Sequence, residues 1–204
     1  MGRRTRRNVS IGKWSLVLLV LAAGSASAGS AVVNDRIVKT VAPSGHCEVG
    51  NSAPEQRLIA SLAPDSGQLL SVFVQCRELE QIKAGKRKQA HSYGFIWAAG
   101  GPALGASRVQ YLERWRGGKL KAWLPPQMQM LGVDQFGGFA GQTGKAKLDS
   151  GEMGSVAGAV GYTVIADHLY TVNYFMRSAG EPILGISYDT VAPLVETFVK
   201  ANGG

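Results

Sequence analysis

Residues 69–76 read LLSVFVQC, and this stretch decides how the rest of the chain is interpreted. Strand-forming side chains dominate it. Its even positions from Leu70 to Cys76 form an apolar face, whereas its odd positions include Ser71 and Gln75. This alternation predicts a strand with one face toward a core, and it places the Cys76 side chain on the core side.

Cys76 has a single candidate partner, since Cys47 is the only other cysteine among the 204 residues. In an oxidising compartment an isolated cysteine pair is more often a disulfide than a metal or catalytic site. Closing a loop of about 30 residues contributes roughly 3–4 kcal/mol in the chain-entropy model. We therefore predict a Cys47–Cys76 disulfide, with two buried thiols as the alternative.

Helices are predicted on both sides of this strand. Before it, Ser52 supplies a capping hydroxyl, Pro54 stands near the first helical position and Glu55 at the third, which predicts a helix over residues 53–62. After it, a short helix is predicted over residues 77–84, followed by a basic, solvated loop at residues 86–88. Further strands are predicted at residues 36–41 and 93–97.

The second half of the chain predicts helices at residues 107–116 and 190–201. The first of these should direct Val109, Leu112 and Trp115 inward. Between the helices, residues 131–161 contain nine glycines, which favour turns, bulges and short strands. Two further strands, 161–165 and 169–176, are expected to join at residues 166–168. Together these elements predict one α+β domain over residues 35–204, a mainly antiparallel sheet covered by two or three helices.

The N-terminus has the pattern of an export signal. Four arginines precede an apolar run at residues 14–23, and small residues then lead to an A-x-A site at residues 26–28. We predict cleavage after Ala28 and a flexible leader at residues 29–34. The apolar run is about half the roughly 20 residues that span a bilayer, so a retained anchor is the weaker interpretation. Both the general secretory and the twin-arginine export routes stay open.

Charge gives little support to nucleic-acid binding once this segment is set aside. The first 28 residues hold five of the 22 lysines and arginines and none of the 14 acids, which leaves a net charge of +3 for the remainder. Specific nucleic-acid binding is therefore not expected.

Several stretches together resemble small secreted proteobacterial proteins of unassigned function. They cover about half of the chain after the signal and contain no invariant chemical motif. They are 46–48, 57–59, 69–73, 76–79, 93–94, 169–174 and 195–202. The order of elements is also similar to the PsbP-like α/β sandwich of extrinsic photosystem subunits and related binding proteins. That resemblance implies a non-enzymatic module that docks on a partner, and it supplies no residue to carry over.

The sequence contains partial matches to catalytic motifs but no complete one. Residues 185–189 nearly match the G-x-S-x-G elbow, but Asp189 replaces the last glycine and no histidine follows Ser187. A thiol enzyme would need a free cysteine near a histidine, which competes with the disulfide. A hydrolase whose carboxylates converge only in the fold is the alternative function, with Glu78 and Glu80 as candidates by residue type.

Metal and cofactor motifs are also incomplete, so we expect neither. The histidines His46, His91 and His168 form no ligand spacing. Residues 141–146 resemble a phosphate-binding loop, but Phe139 stands where its first glycine belongs and Ala146 where a hydroxyl should bind magnesium. The glycines of this stretch are better explained as turns.

Two surfaces are candidates for binding. In the first, basic residues alternate with aromatic ones, a pattern that suits a polyanion or an anionic envelope surface. Its residues are Arg108, Tyr111, Arg114, Arg116, Lys119, Lys121 and Trp123. The plainer explanation is a helix with basic residues outward, Trp115 in the core and a turn at residues 117–118. The second is a sheet face with Tyr162, Tyr170, Tyr174 and Phe175, for which packing under a helix is the alternative.

These observations predict a periplasmic or secreted protein that acts by binding an unidentified protein or an anionic envelope component. No cofactor, no catalysis and no transmembrane span after signal removal are expected.

Overall fold

The computed structural model describes residues 28–60, 67–148, 150–181 and 184–204. Within them the helices are α1 (Ala53–Ala60), α2 (Cys76–Lys83), α3 (Arg108–Arg116) and α4 (Leu184–Ala201), with a short 3-10 turn at Lys121–Trp123. The strands are β1 (Ala28–Val33), β2 (Arg36–Val41), β3 (His46–Glu48), β4 (Gln68–Gln75), β5 (Ser92–Ala98), β6 (Gln129–Val133), β7 (Gly138–Lys147), β8 (Met153–Ile165) and β9 (His168–Ser178).

Seven of these strands form one antiparallel sheet in the order β3-β4-β5-β9-β8-β7-β6, and β1 and β2 form a separate hairpin. The prediction of a single α+β domain with a mainly antiparallel sheet is confirmed. The pairing of β5 with β9 joins segments about 80 residues apart in the chain, since Tyr93 lies opposite Phe175. This pairing brings the end of β9 to the loop that follows α2.

Helix α4 covers one face of the sheet. Its buried residues Val191, Val195 and Phe198 belong to the same core as Phe139 and Val172 of the sheet. The β1–β2 hairpin adds its own apolar side chains to this core, Val33, Val38 and Val41.

The opposite face is covered by helices at its two ends. At the β3 end, Leu79 and Ile82 of α2 pack with Val74 and Ala90. At the β6 end, residues of α3 pack with Ala140 of β7 and Val164 of β8.

The predicted alternation in residues 69–76 is only partly correct. A β-bulge lies between Leu69 and Ser71 in the pairing of β4 with β5. The extra residue turns Leu70 toward the α4 core, whereas Val74 faces α2. Helix α2 packs on the Val74 face of β4, and the core that includes the β1–β2 hairpin lies on the Phe73 face, so Phe73, at an odd position, is as buried as Val74. Cys76 is not the end of the strand but the first residue of α2.

The segment predicted as a flexible leader is structured. Residues 28–33 form β1, which pairs antiparallel with β2 along its whole length. The connecting residues Asn34 and Asp35 have φ values of 47° and 62°, a conformation that Asn and Asp tolerate better than most residues and that two-residue hairpins need. The turn at Asn34 and Asp35 therefore allows this segment to form a strand, although the small side chains of residues 29–31 favoured a flexible one. Residues 1–27 of the predicted export signal lie outside the described residues.

The glycine-rich stretch contains a predicted bulge, between Met130 and Gly132, and a predicted turn at Gly151, but most of it forms the long strands β7 and β8 and not short ones. Gly138 lies inside β7, where an added Cβ would be 2.6 Å from Cγ and 2.7 Å from Cε2 of Trp115. An added Cβ at Gly158 of β8 would meet the ring of Phe175, 3.2 Å from its Cγ. The missing side chains make room for large rings that lie flat on the sheet, so the glycines serve packing here and not turns.

The predicted inner stripe of α3 needs one correction. Leu112 and Trp115 are buried as predicted, but Val109 is 66% exposed and Tyr111 takes its place in the core. The helix begins with Ser107 as its N-cap in a reciprocal hydrogen-bonded box with Gln110. Tyr111, Leu112 and Trp115 form the buried stripe of the helix, and at helical spacing Val109 lies outside that stripe.

Candidate basic groove

A cavity of about 660 Å³ opens at the β3 end of the sheet, between α1, α2, the loop after α2, the start of β5 and the end of β9. Its lining residues are Pro54, Arg57, Leu58, Ile82, Gly85, Arg87, Lys88, Gln89, Ala90, Tyr93 and Arg177. A second cavity of about 170 Å³ shares Arg87, Gln89, Ala90 and Arg177 with the first and extends to His91 and Ser150. Because they share these residues the two cavities adjoin, and we call them together the basic groove.

The walls of the basic groove are held by the predicted disulfide. Cys47 of β3 and Cys76 at the start of α2 are bonded, with Cα atoms 4.8 Å apart, and the pair is 29 residues apart in sequence. Cys47 also packs in the small core under α2, together with Leu58 of α1 and Tyr93 of β5. The bond therefore fixes α2 against the edge strand and, through this core, positions α1.

A buried carboxylate fixes each of the two helices. Glu55 of α1 accepts hydrogen bonds from the backbone N–H groups of Gly50 and Ser52, both at 3.0 Å, and its Oε1 lies 3.6 Å from Nζ of Lys83. Burial alone would raise the pKa of Glu55, but the hydrogen bonds from Ser52 and Gly50, with the Lys83 charge, lower it to about 2. The Glu55 carboxylate is therefore ionised at neutral pH and ties α1 to the chain before it.

Glu78 of α2 has the same function on the other side of the groove. It forms an ion pair with Arg87 and accepts a hydrogen bond of 2.9 Å from the backbone N–H of His91. Its side chain thus joins α2, the basic loop and the start of β5. Neither Glu55 nor Glu78 lines the larger cavity.

The groove contains four cationic side chains, and only part of this charge is neutralised. Arg87 is paired with Glu78, whereas within the described chain no carboxylate lies within ion-pair distance of Arg57, Lys88 or Arg177. Arg57 and Lys88 are exposed and Arg177 is half-buried. A concave surface lined by cations of one sign concentrates anions and favours their binding.

Arg177 is the best-oriented of these cations. Its guanidinium donates a hydrogen bond to the neutral Oε1 of Gln89 and lies over the ring of Tyr93, 5.5 Å from the centroid. The Tyr93 ring stacks on Phe175 at 5.4 Å, and Phe175 stacks on Phe95 at 6.0 Å. Because Gln89 is neutral, this hydrogen bond positions the Arg177 guanidinium without neutralising its charge. The planar guanidinium can therefore bind a carboxylate or a phosphate.

Tyr93 supplies a neutral hydroxyl in the same wall. Burial raises the pKa of Tyr93, and the neighbouring Arg177 offsets part of that rise. The phenol therefore keeps its proton at physiological pH. It can donate a hydrogen bond to an anion beside the arginine.

Most of the predicted basic–aromatic surface lies at the other end of the sheet. Arg114, Arg116, Lys119, Lys121 and Trp123 are exposed, which agrees with the prediction. Tyr111 is only 7% exposed and packs in the α3 core, so its inclusion in that surface was wrong.

The remaining members of that surface differ in their partners. Arg116 is held by Glu113 at 2.5 Å and by the backbone oxygen of Asp134 at 3.1 Å. Arg108 is half-buried and lines a separate cavity of about 520 Å³ together with Arg36 and Asp167.

The sheet face suggested for docking is mostly covered. Tyr170 and Tyr174 are 3% and 4% exposed. Tyr170 meets Phe198 of α4 with ring centroids 5.6 Å apart, and Tyr174 meets His46 at 5.5 Å. These two tyrosines therefore follow the alternative, packing under a helix. Only Tyr162 and Phe175 of that set are half-exposed.

The approximate catalytic motifs occupy positions that do not suit their chemistry. Ser187 lies inside α4, fully buried, and its hydroxyl donates to the backbone oxygen of Ala157 at 3.3 Å. Residues 141–146, which resembled a phosphate loop, lie inside β7. The two candidate carboxylates have different surroundings. Glu78 forms an ion pair with Arg87, whereas the side chain of Glu80 is 74% exposed.

The described residues contain no group of three or more His, Cys, Asp or Glu side chains placed to hold a metal ion. In the same part of the chain, no helix combines the length and apolar character that crossing a bilayer requires.

The sequence alone did not identify the basic groove. The basic loop at residues 86–88 was interpreted as solvated, and Arg177 lies about 120 residues after Arg57. Only the pairing of β5 with β9 brings Arg177 beside Tyr93. The groove could have been predicted only from a sequence signal for the pairing of β5 with β9.

No protein-family model matches the chain, and no curated protein matches it either.

Proposed function

We propose that this protein is an exported, non-catalytic binding protein of the bacterial envelope, and that its basic groove holds an anionic group of an envelope component. The observation that carries the proposal is the set of three cations in the groove, Arg57, Lys88 and Arg177, without a carboxylate partner in the described chain. The signal pattern of residues 1–28 and the Cys47–Cys76 disulfide support export to an oxidising compartment.

Phosphate and carboxylate groups are the chemistry that this groove fits. Arg177 presents a planar fork, Lys88 a point charge and Tyr93 a neutral hydroxyl. Four cations line the larger cavity, and two of them, Arg87 and Arg177, also line the adjoining one, an arrangement that suits an anion with several charges better than a small single ion. No specific observation favours the hydrolase, since the larger cavity is lined by bases, an amide and a phenol, with no carboxylate among its described lining residues.

The test uses protein recovered from the periplasm of cells that express the full 204-residue chain, with its mass measured to locate the N-terminus. Fluorescently labelled polyphosphate and polyglutamate are titrated at several salt concentrations. We expect binding that weakens as salt rises. The double variant Lys88→Gln/Arg177→Gln should bind at least about tenfold more weakly, the effect of losing about 1.4 kcal/mol.

Lys145→Gln is the matched control, because Lys145 is exposed on β7 and outside the lining of both cavities of the groove. It should bind like the wild type. Equal affinity of the groove variant and the wild type, with both shown to be folded by circular dichroism, would refute the groove as the site. A cytoplasmic protein that retains Met1 would refute export.

A further inference from the structure

We propose that the corner formed by Arg114, Lys119, Lys121 and Trp123 docks on the surface of an anionic phospholipid bilayer. This contact goes beyond the proposed function, because it uses the β6 end of the molecule and none of the residues of the basic groove. We call these four residues the Trp123 corner.

Trp123 projects from an ordered backbone. The 3-10 turn that carries it is closed by hydrogen bonds from the N–H of Trp123 to the oxygen of Leu120, at 3.0 Å, and from Leu124 to Lys121, at 3.2 Å. The N–H of Lys119 donates to the oxygen of Arg114 at 3.0 Å, which joins the turn to the end of α3. Leu120, 6% exposed, anchors the segment in the α3 core.

The indole itself is left in solvent. The Trp123 side chain is 79% exposed, the highest value among the large apolar residues of the described chain. The other tryptophans of that part of the chain are half-buried Trp97 and fully buried Trp115. An exposed tryptophan on a fixed turn loses little conformational entropy when it is buried, and indole rings favour the interface between water and lipid.

The charges around Trp123 determine which surface it fits. Arg114, Lys119 and Lys121 are exposed, and in the described chain none of them has a carboxylate within ion-pair distance. The one carboxylate on α3, Glu113, is already engaged by Arg116. Three unneutralised cations beside an interfacial ring complement the anionic headgroups of a bilayer.

A bilayer fits this corner better than a single-stranded nucleic acid does. Single-strand sites use a charged groove with several aromatic platforms for successive bases. Here one ring protrudes, it lines neither cavity of the basic groove, and the second predicted aromatic residue, Tyr111, is buried.

The test is co-sedimentation of the full chain's exported product with vesicles of phosphatidylglycerol and phosphatidylethanolamine, compared with vesicles of phosphatidylcholine. We expect binding to the anionic vesicles that falls with salt. Trp123→Ala and the double variant Lys119→Gln/Lys121→Gln should each lower it about tenfold. Tryptophan fluorescence should shift to the blue on binding, and this shift should be absent in Trp123→Phe.

Ile37→Ser is the matched control, because Ile37 is 75% exposed on β2 and outside the corner. It should bind vesicles like the wild type, and so should the groove variant Lys88→Gln/Arg177→Gln. Vesicle binding that survives Trp123→Ala, or that is lost only in the groove variant, would overturn the inference and leave the groove proposal standing. Trp123-dependent binding to single-stranded DNA without binding to vesicles would also overturn it.

Discussion

At the β3 end of the sheet, α1 and α2 are attached by a disulfide and by two buried carboxylates, whereas at the β6 end α3 is attached by its buried apolar side chains, among which the Trp115 ring fits against Gly138. The disulfide and the two carboxylates hold α1 and α2 at a few positions and leave a concave space, the basic groove, beside the helices. The attachment of α3 depends instead on close packing of its side chains against the sheet. The difference suggests that the polar end is available for ligands while the glycine-rich end supports the fold and presents Trp123.

Removing the disulfide should have the largest effect on this comparison. Replacing both Cys47 and Cys76 by serine frees a loop with a sequence separation of 29 residues, which should lower the free energy of unfolding by about 3–4 kcal/mol. Urea unfolding measures the change. Anion affinity in the groove should fall as well, because α2 is no longer fixed to β3.

The wild type treated with a reductant serves as the control for this change. It should lose a similar amount of stability, whereas vesicle binding through the Trp123 corner should persist in protein that stays folded. Unchanged stability after the double replacement would show that the disulfide does not hold the polar end.

Filling a glycine at the other end should have the next largest effect. In Gly138→Ala the new methyl group would stand 2.6 Å from Cγ of Trp115, so the ring or strand β7 must shift. Overpacking of this kind costs about 1–3 kcal/mol. Thermal unfolding should show the loss, while anion affinity in the groove should stay unchanged.

Gly144→Ala tests the same replacement on the same strand without the clash. Its added Cβ would be 3.5 Å from Cγ1 of Val156, an ordinary contact. This variant should be as stable as the wild type or slightly more so. Equal losses of stability in Gly138→Ala and Gly144→Ala would show that the loss comes from the backbone flexibility of glycine and not from the fit against Trp115.

The smallest effect should come from the acid that holds α1. A pKa of about 2, below the ordinary 4.5, means that the contribution of Glu55 is present above pH 4.5 and is lost as the pH falls toward 2. Glu55→Gln should lower stability at pH 7 by about 1 kcal/mol, as expected for a lost helix cap. It should also flatten the dependence of stability on pH between 4.5 and 2.

Glu80→Gln is the control for the charge itself, because the Glu80 side chain is 74% exposed and its partner Lys83 lies at 3.4 Å. An exposed pair contributes a few tenths of a kcal/mol. The pH dependence should therefore remain in Glu80→Gln. Equal pH profiles for the two variants would contradict the assignment of the low pKa to Glu55.

Local signals predicted the polar end well. The Ser52–Glu55 pattern predicted α1, which is present from Ala53 to Ala60, while its last two predicted positions lie outside the described residues. The two cysteines predicted the bond between β3 and α2. These features could be predicted because each depends on a few neighbouring residues or on a pair without competitors.

The glycine-rich end and the groove depend on distant residues, which local patterns do not contain. Gly138 belongs to the stretch that was predicted to form turns, bulges and short strands, because the sequence does not show that Trp115 lies against this residue. The helix start at Ser107 was predicted, but the sequence did not show that Tyr111, and not Val109, joins Leu112 and Trp115 on the buried side. Similarly, Arg57 and Arg177 line the same cavity only because the strand order of the sheet brings the end of β9 close to α1.

The outer strands of the seven-stranded sheet bear on how copies of the protein behave at high concentration. β3 is three residues long and β6 carries a bulge between Met130 and Gly132, just after Pro125 and Pro126. Short or kinked borders offer another chain few free N–H and C=O groups in register. The protein should therefore resist fibril growth by strand addition, even with 41% of its described residues in strands.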